Sequence, residues 1–167
     1  LSPTLTLTPS QTLIPTLTVT PSPTLTPTAT LPQGKLTRLF YDDNSFYIWN
    51  TSDESIPISR VAFEALDSSG VTTGERFEGD RWANVGYHLL EGGKCNAIEI
   101  TQAAQVLRPT QCNPYFANYN AVVTPQRGSP AVFWLMRSGI THFRVLWDEQ
   151  EVARCEAGGG QCEVYFP

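Results

Sequence analysis

The first 34 residues of this 167-residue chain contain no charged side chain and no aromatic ring, so every charge and every aromatic falls between Lys35 and Pro167. A stretch that lacks both can build neither a core nor a charged surface. Cations are scarce throughout: 11 Lys and Arg against 16 Asp and Glu leave a net charge of −5. They are also scattered, which excludes a nucleic-acid surface, where clustered cations must displace counterions from phosphates. No apolar run is longer than six residues, Ala131 to Met136, against the roughly 20 that a membrane helix needs. The start has no basic residue and no apolar run beyond Leu13-Ile14, so it does not read as an export signal. We expect a signal or membrane anchor upstream, and any membrane attachment through that missing segment alone.

Catalytic signatures are missing too. There is no Gly-x-Ser-x-Gly, no His-Glu-x-x-His and no phosphate loop, so no nucleophile, zinc or nucleotide motif is present. The chain has two histidines, His88 and His142, and no Cys-x-x-Cys, a set that fits no zinc pattern. The reading is a noncatalytic protein without metal or cofactor. Its alternatives are the sensor ectodomain of a membrane receptor, or a hydrolase assembled from scattered residues such as His142, Asp148 and Glu151.

What the tail does have is proline at Pro3, Pro9, Pro15, Pro21 and Pro27, an interval of six, with Thr at eleven positions around them. Six residues are two turns of polyproline II, so these prolines lie along one edge of an extended helix. Each Pro removes a donor and restricts its predecessor, which leaves no basis for a strand ladder. Residues 1–34 are therefore expected to be a disordered Thr/Pro-rich linker, reaching at most roughly 100 Å at about 3.1 Å per residue. Its hydroxyls suit O-linked sugars.

Four cysteines, Cys95, Cys112, Cys155 and Cys162, form an even set. In an exported domain they read as two disulfides, for which three connectivities exist. The pair Cys155 and Cys162 is favoured, because Glu151 to Cys155 and Cys162 to Phe166 read as the arms of a hairpin around Gly158-Gly159-Gly160. That leaves Cys95 with Cys112 and places the protein outside the cell or on its surface.

Strand signals dominate from Lys35 onward. The runs 36–41, 44–49, 58–66, 94–101, 131–136, 141–147, 151–155 and 162–166 are rich in aromatic and β-branched residues and are bounded by Asp, Asn, Gly or Pro. Phe143, Val145 and Trp147 alternate with His142, Arg144 and Leu146, the period of a half-buried strand. Residues 100–107 allow at most two helical turns before Pro109. Residues 35–167 are thus expected to form an all-β domain, an immunoglobulin-like antiparallel β-sandwich.

The segment Phe46 to Ser59, Phe-Tyr-Ile-Trp-Asn-Thr-Ser-Asp-Glu-Ser-Ile-Pro-Ile-Ser, resembles the opening of lamin-tail-like immunoglobulin domains. Leu89-Leu90-Glu91-Gly92-Gly93, followed by the apolar run to Ile100, is similar to that family's Leu-x-Pro-Gly-x turn, with Glu91 in place of Pro. Arg60-Val61 stands where the family has Gly-Trp. The likeness spans residues 44–100. Phe143 to Trp147 and Val152 to Glu156 also resemble modules of bacterial surface proteins and receptor-kinase ectodomains. The resemblance implies an adhesion, sensing or interaction module.

Asn113 to Asn120 is the candidate ligand-binding loop, with Tyr115, Phe116 and Tyr119 interleaved with Asn118 and Asn120. Rings beside amides can stack on a sugar face while bonding its hydroxyls, or can hold a peptide. The expected partner is a surface glycan or protein. Asp42, Asp43 and Asn44 with Asp53 and Glu54 are acidic turns, expected at opposite ends of one strand and so not a calcium site. Trp49, Trp82, Trp134 and Trp147 are assigned to core or half-buried positions. Asn50-Thr51-Ser52 matches the N-glycosylation sequon.

Overall fold

A computed structural model describes residues 33–113, 119–137, 139–158 and 160–167. All but the last two residues of the expected linker lie outside that range. The described residues are mostly strand. In chain order they form β1 (Lys35–Tyr41), β2 (Ser45–Asn50), β3 (Ile56–Pro57), β4 (Val61–Leu66), β5 (Thr72–Glu78), a single helical turn α1 (Asp80–Ala83), β6 (Leu89–Leu90) and β7 (Cys95–Glu99). There follow β8 (Tyr119–Val123), β9 (His142–Trp147), β10 (Gln150–Glu156) and β11 (Gly160–Phe166). One sheet runs β11-β1-β2-β7-β8, a second runs β10-β9-β4-β5, and β3 pairs with β6 in a short ribbon.

The two large sheets pack face to face, as the period-2 pattern requires. β1 buries Thr37, Leu39 and Tyr41 and exposes Arg38. From the facing sheet, Phe63, Phe143 and Val145 are fully buried. Phe46 meets Phe63 edge-on at 4.9 Å between ring centroids, a geometry that aligns ring edges with π faces across the core. At one margin α1 closes the core with Trp82, whose ring lies 4.6 Å from Phe77 and whose Nε1 donates to the carbonyl of Ala97 at 2.8 Å. Gly79, just before α1, is obligatory: a Cβ there would fall 1.8 Å from the carbonyl oxygen of Ile58.

Four expectations change. Ala131 to Met136 is not a strand. Its first five residues are buried in a turn-rich plug, with Phe133 stacked on Phe63 at 5.0 Å and Trp134 Nε1 bonded to the carbonyl of Asp42 at 2.7 Å. A short apolar run reports burial, and it does not distinguish ladder pairing from insertion. The sheets are not wholly antiparallel either, since β8 runs parallel to β7. Parallel neighbours need a long crossover, which residues 100–118 supply. β4 begins at Val61, after a 3₁₀ turn at Ile58–Arg60. Last, β10 and β11 are not a laddered hairpin: β10 pairs with β9 and β11 with β1.

Both disulfides join the expected partners, Cys95–Cys112 with Cα atoms 5.5 Å apart and Cys155–Cys162 at 6.0 Å. Because β10 and β11 belong to different sheets, Cys155–Cys162 is an inter-sheet staple. Cys95–Cys112 fastens the crossover to the outward face of the five-stranded sheet, where Tyr47, Cys95, Ala97 and Cys112 form a second buried cluster. Two closed disulfides are the mark of an oxidising compartment. Replacing Cys95 and Cys112 together by Ala is expected to cost about 3 kcal/mol by loop-closure entropy, read as a lower urea midpoint. A loss below about 0.5 kcal/mol, the range of a neutral surface change, would show that the crossover is held by other contacts.

Candidate functional site

Tyr115, Phe116 and Asn118 lie outside the described residues. Tyr119 and Asn120 are not loop residues: they open β8, where the Tyr119 backbone pairs with Cys95, and Asn120 donates its side-chain amide to the carbonyl of Leu89 at 3.2 Å. Cys112 and Tyr119 therefore both sit beside Cys95, toward the end of the sheet where Lys35 pairs with Phe166.

The opposite end carries a groove. Its ridge is the β1–β2 turn, shaped by Asp42, whose Oδ1 accepts from the backbone N–H groups of Asn44 and Ser45 and from Ser45 Oγ, each at 2.8 Å. Three concavities of about 490, 410 and 420 Å³ adjoin across this turn. The first and second share Asp43 and Gly158, and the second and third share Tyr41, Asp42, Leu107 and Gly160. They run from Arg127 and Met136 on one side to Leu107 and Pro109 on the other. The most exposed large apolar side chains among the described residues are here, Met136 at 70% and Leu107 at 62%. Nothing in the sequence marked this groove, because its walls come from four separate turns.

One wall is rigid because Arg137 donates Nη2 to the carbonyls of Arg127, Ser129 and Val132 at 3.0–3.1 Å, locking that loop. Arg127, exposed on the loop, bonds Asn44 Oδ1. At the floor, burial raises the Tyr41 phenol to about 12, helped by the charge of Glu156, while its hydroxyl donates to the Glu156 carbonyl at 2.8 Å. The other wall is the crossover. There Arg108 makes a two-pronged bond to the nearly buried Glu99, with both contacts at 3.0 Å, and Tyr47 donates its hydroxyl to the same carboxylate at 2.9 Å.

The residues of the hydrolase alternative are kept apart. His142 opens β9 and Asp148 follows its end, roughly 20 Å along the strand at about 3.4 Å per residue. Asp148 is bonded by Arg60, which holds its carboxyl below the usual range, and Arg154 does the same to Glu151. Both acids are engaged as ion-pair partners. Asp42 and Asp53 lie in turns at opposite ends of β2, as expected. The sequon asparagine, Asn50, is fully buried and donates to the carbonyls of Glu54 and Leu90 at 2.7 and 3.0 Å, so the folded chain does not present it. Trp82 and Trp134 are fully buried, Trp147 nearly so, and Trp49 is half-buried.

Arg154, Arg144, Glu64 and Arg76 form one register row across the outward face of the second sheet. Arg144 Nε reaches Glu64 at 2.6 Å and Arg76 reaches Glu149 at 2.5 Å. This is a self-neutralised face. No protein-family model matches the chain, and no curated protein matches it significantly. Fold and crosslinks define it as a disulfide-stapled protein of two packed β-sheets.

Two outcomes follow from the groove's walls. Arg108→Ala leaves the Glu99 carboxylate without its cation and is expected to destabilise the fold by about 1–2 kcal/mol, between an exposed and a fully buried pair. Equilibrium urea unfolding measures it, and a neutral result would mean the pair does not hold the crossover. The Tyr41 phenol binds its proton more tightly folded than unfolded, where it titrates near 10. Its contribution is complete below pH 10 and is lost as pH rises toward about 12. Unfolding midpoints should therefore fall less steeply between pH 9 and 11 in Tyr41→Phe than in the parent chain; equal slopes would contradict the assignment.

Proposed function

We propose that this chain is a noncatalytic binding module of the immunoglobulin-like kind, displayed outside the cell or on its surface by the Thr/Pro-rich segment 1–34. The observation that carries this reading is the open groove at the end of a crosslinked sandwich, with Leu107 and Met136 turned to solvent beside it. A rigid scaffold that presents loop-built concavities is the arrangement by which sandwiches recognise partners. An adhesive or sensing role follows from the same features. The two disulfides support extracytoplasmic residence, and the proline interval of six supports a spacer that holds the module away from a surface. Tyr115, Phe116, Asn118, Tyr119 and Asn120 belong to the proposal as a second contact region, of which Tyr119 and Asn120 open β8.

The test is direct binding with the full chain. Immobilised protein is challenged with a glycan array and with an extract of surface proteins. A saturable ligand, retained without chemical conversion, is the expected result. Weakening of that ligand by Tyr115→Ala with Tyr119→Ala would assign the contact to the loop, and retention would assign it elsewhere. Turnover of a substrate that is lost in a folded His142→Ala variant would replace this reading with the hydrolase.

A further inference from the structure

Resting on the binding-module reading, we propose that the groove across the β1–β2 turn takes an extended peptide, with an aliphatic side chain against Leu107 and a carboxylate at Arg127. The three adjoining concavities form a trench and not a closed pit, a shape suited to a chain crossing it. The rings that line it are already engaged. Tyr41 is 6% exposed, packed against Phe46 at 5.8 Å and Phe143 at 5.2 Å, while Phe40 lies over Trp49 at 6.4 Å. A sugar ring would need a bare aromatic face. The trench offers an exposed leucine and an exposed methionine, and the pliable thioether of Met136 adapts to varied peptide side chains.

Charge fixes the polarity of the occupant. Among the described residues no carboxylate lies within ion-pair distance of Arg127, whose guanidinium bonds the neutral amide of Asn44. A guanidinium has five donors, and one such bond leaves others for a two-pronged grip on a carboxylate. The loop that carries Arg127 is pre-organised by the three carbonyl bonds of Arg137, so little ordering cost falls on binding. Asp43 is exposed in the same trench. It lines the same concavity as Arg127 and disfavours a second carboxylate there, a repulsive element of the kind that sets specificity.

The experiment is selection of a random heptapeptide display library on the full-length chain, followed by fluorescence polarisation with the enriched sequences made synthetically. Enriched peptides should pair an acidic with an aliphatic residue at a fixed spacing. Their affinity should weaken by about tenfold or more, the loss of a hot-spot contact, in Leu107→Asp and in Arg127→Glu, and hold in Val71→Ala, which is exposed and lines none of the three concavities. Exchanging the peptide's acid for lysine should restore binding to Arg127→Glu, which guards against a merely misfolded variant. Peptides that ignore both groove variants would overturn the proposal. If those peptides fail on Tyr119→Ala instead, the binding-module reading stands and only the site is wrong. If neither peptides nor glycans are retained, both fall.

Discussion

The covalent bond between Cys95 and Cys112, reinforced by Arg108 on Glu99, holds residues 101–112 across the outward face of the five-stranded sheet. A sheet in a two-layer protein ordinarily leaves its outer face to water. Here that face carries Tyr47, Ala97 and the disulfide itself, all buried. The covering segment is also the crossover that lets β8 run parallel to β7, and its Leu107 and Pro109 form one wall of the groove. Direction of the last strand, burial of the second face and shape of the candidate site thus share one physical cause.

Between the sheets the logic is different. Phe46, Phe63, Phe133 and Phe143 make edge and stacked contacts with centroids 4.9–6.5 Å apart. Phe133 comes from the plug and not from a strand, so the core is completed by a segment outside both ladders. The same plug meets the β1–β2 turn through Trp134 and accepts the Gly158 N–H at its carbonyl. Apolar filling and site-forming loops are therefore mechanically continuous. The Cys155–Cys162 staple sits where the chain passes from one sheet to the other, next to Gly158 and Gly160 of the groove floor. Tight packing of this kind leaves little freedom for the surrounding turns.

Much of this was legible from local chemistry. β1, β2, β9 and β11 announce themselves by alternation and by aromatic and β-branched content, whereas the cysteine pairing was reached correctly through a hairpin that the two sheets replace with an inter-sheet crosslink. β5 was not legible: Thr72 to Glu78 is a polar edge strand with one fully buried ring, Phe77, and edge strands carry charge in place of apolar pattern. The direction of β8 depends on pairing with β7, as in Cys95 with Tyr119, a separation in sequence that no local signal encodes. The burial of Asn50 is equally non-local, since its sequon reads as a surface feature. Asn96 is the sharpest case. It sits mid-strand in β7, fully buried, with both side-chain polar atoms lacking a hydrogen-bond partner among the described residues, and the strand reading of 94–101 carries no signal of that burial. The groove was invisible because its lining residues lie near positions 42, 107, 136 and 158, and only the packed sheets bring these together.

If the covalent fastening of the crossover organises the molecule, its connectivity in native protein decides the matter. Alkylation of any free thiols followed by peptide mass mapping without reduction should recover two linked species, one joining the Cys95 and Cys112 peptides and one joining those of Cys155 and Cys162. Recovery of four alkylated cysteines, or of a peptide linking Cys95 or Cys112 to either of the other two, would contradict this account of the fold.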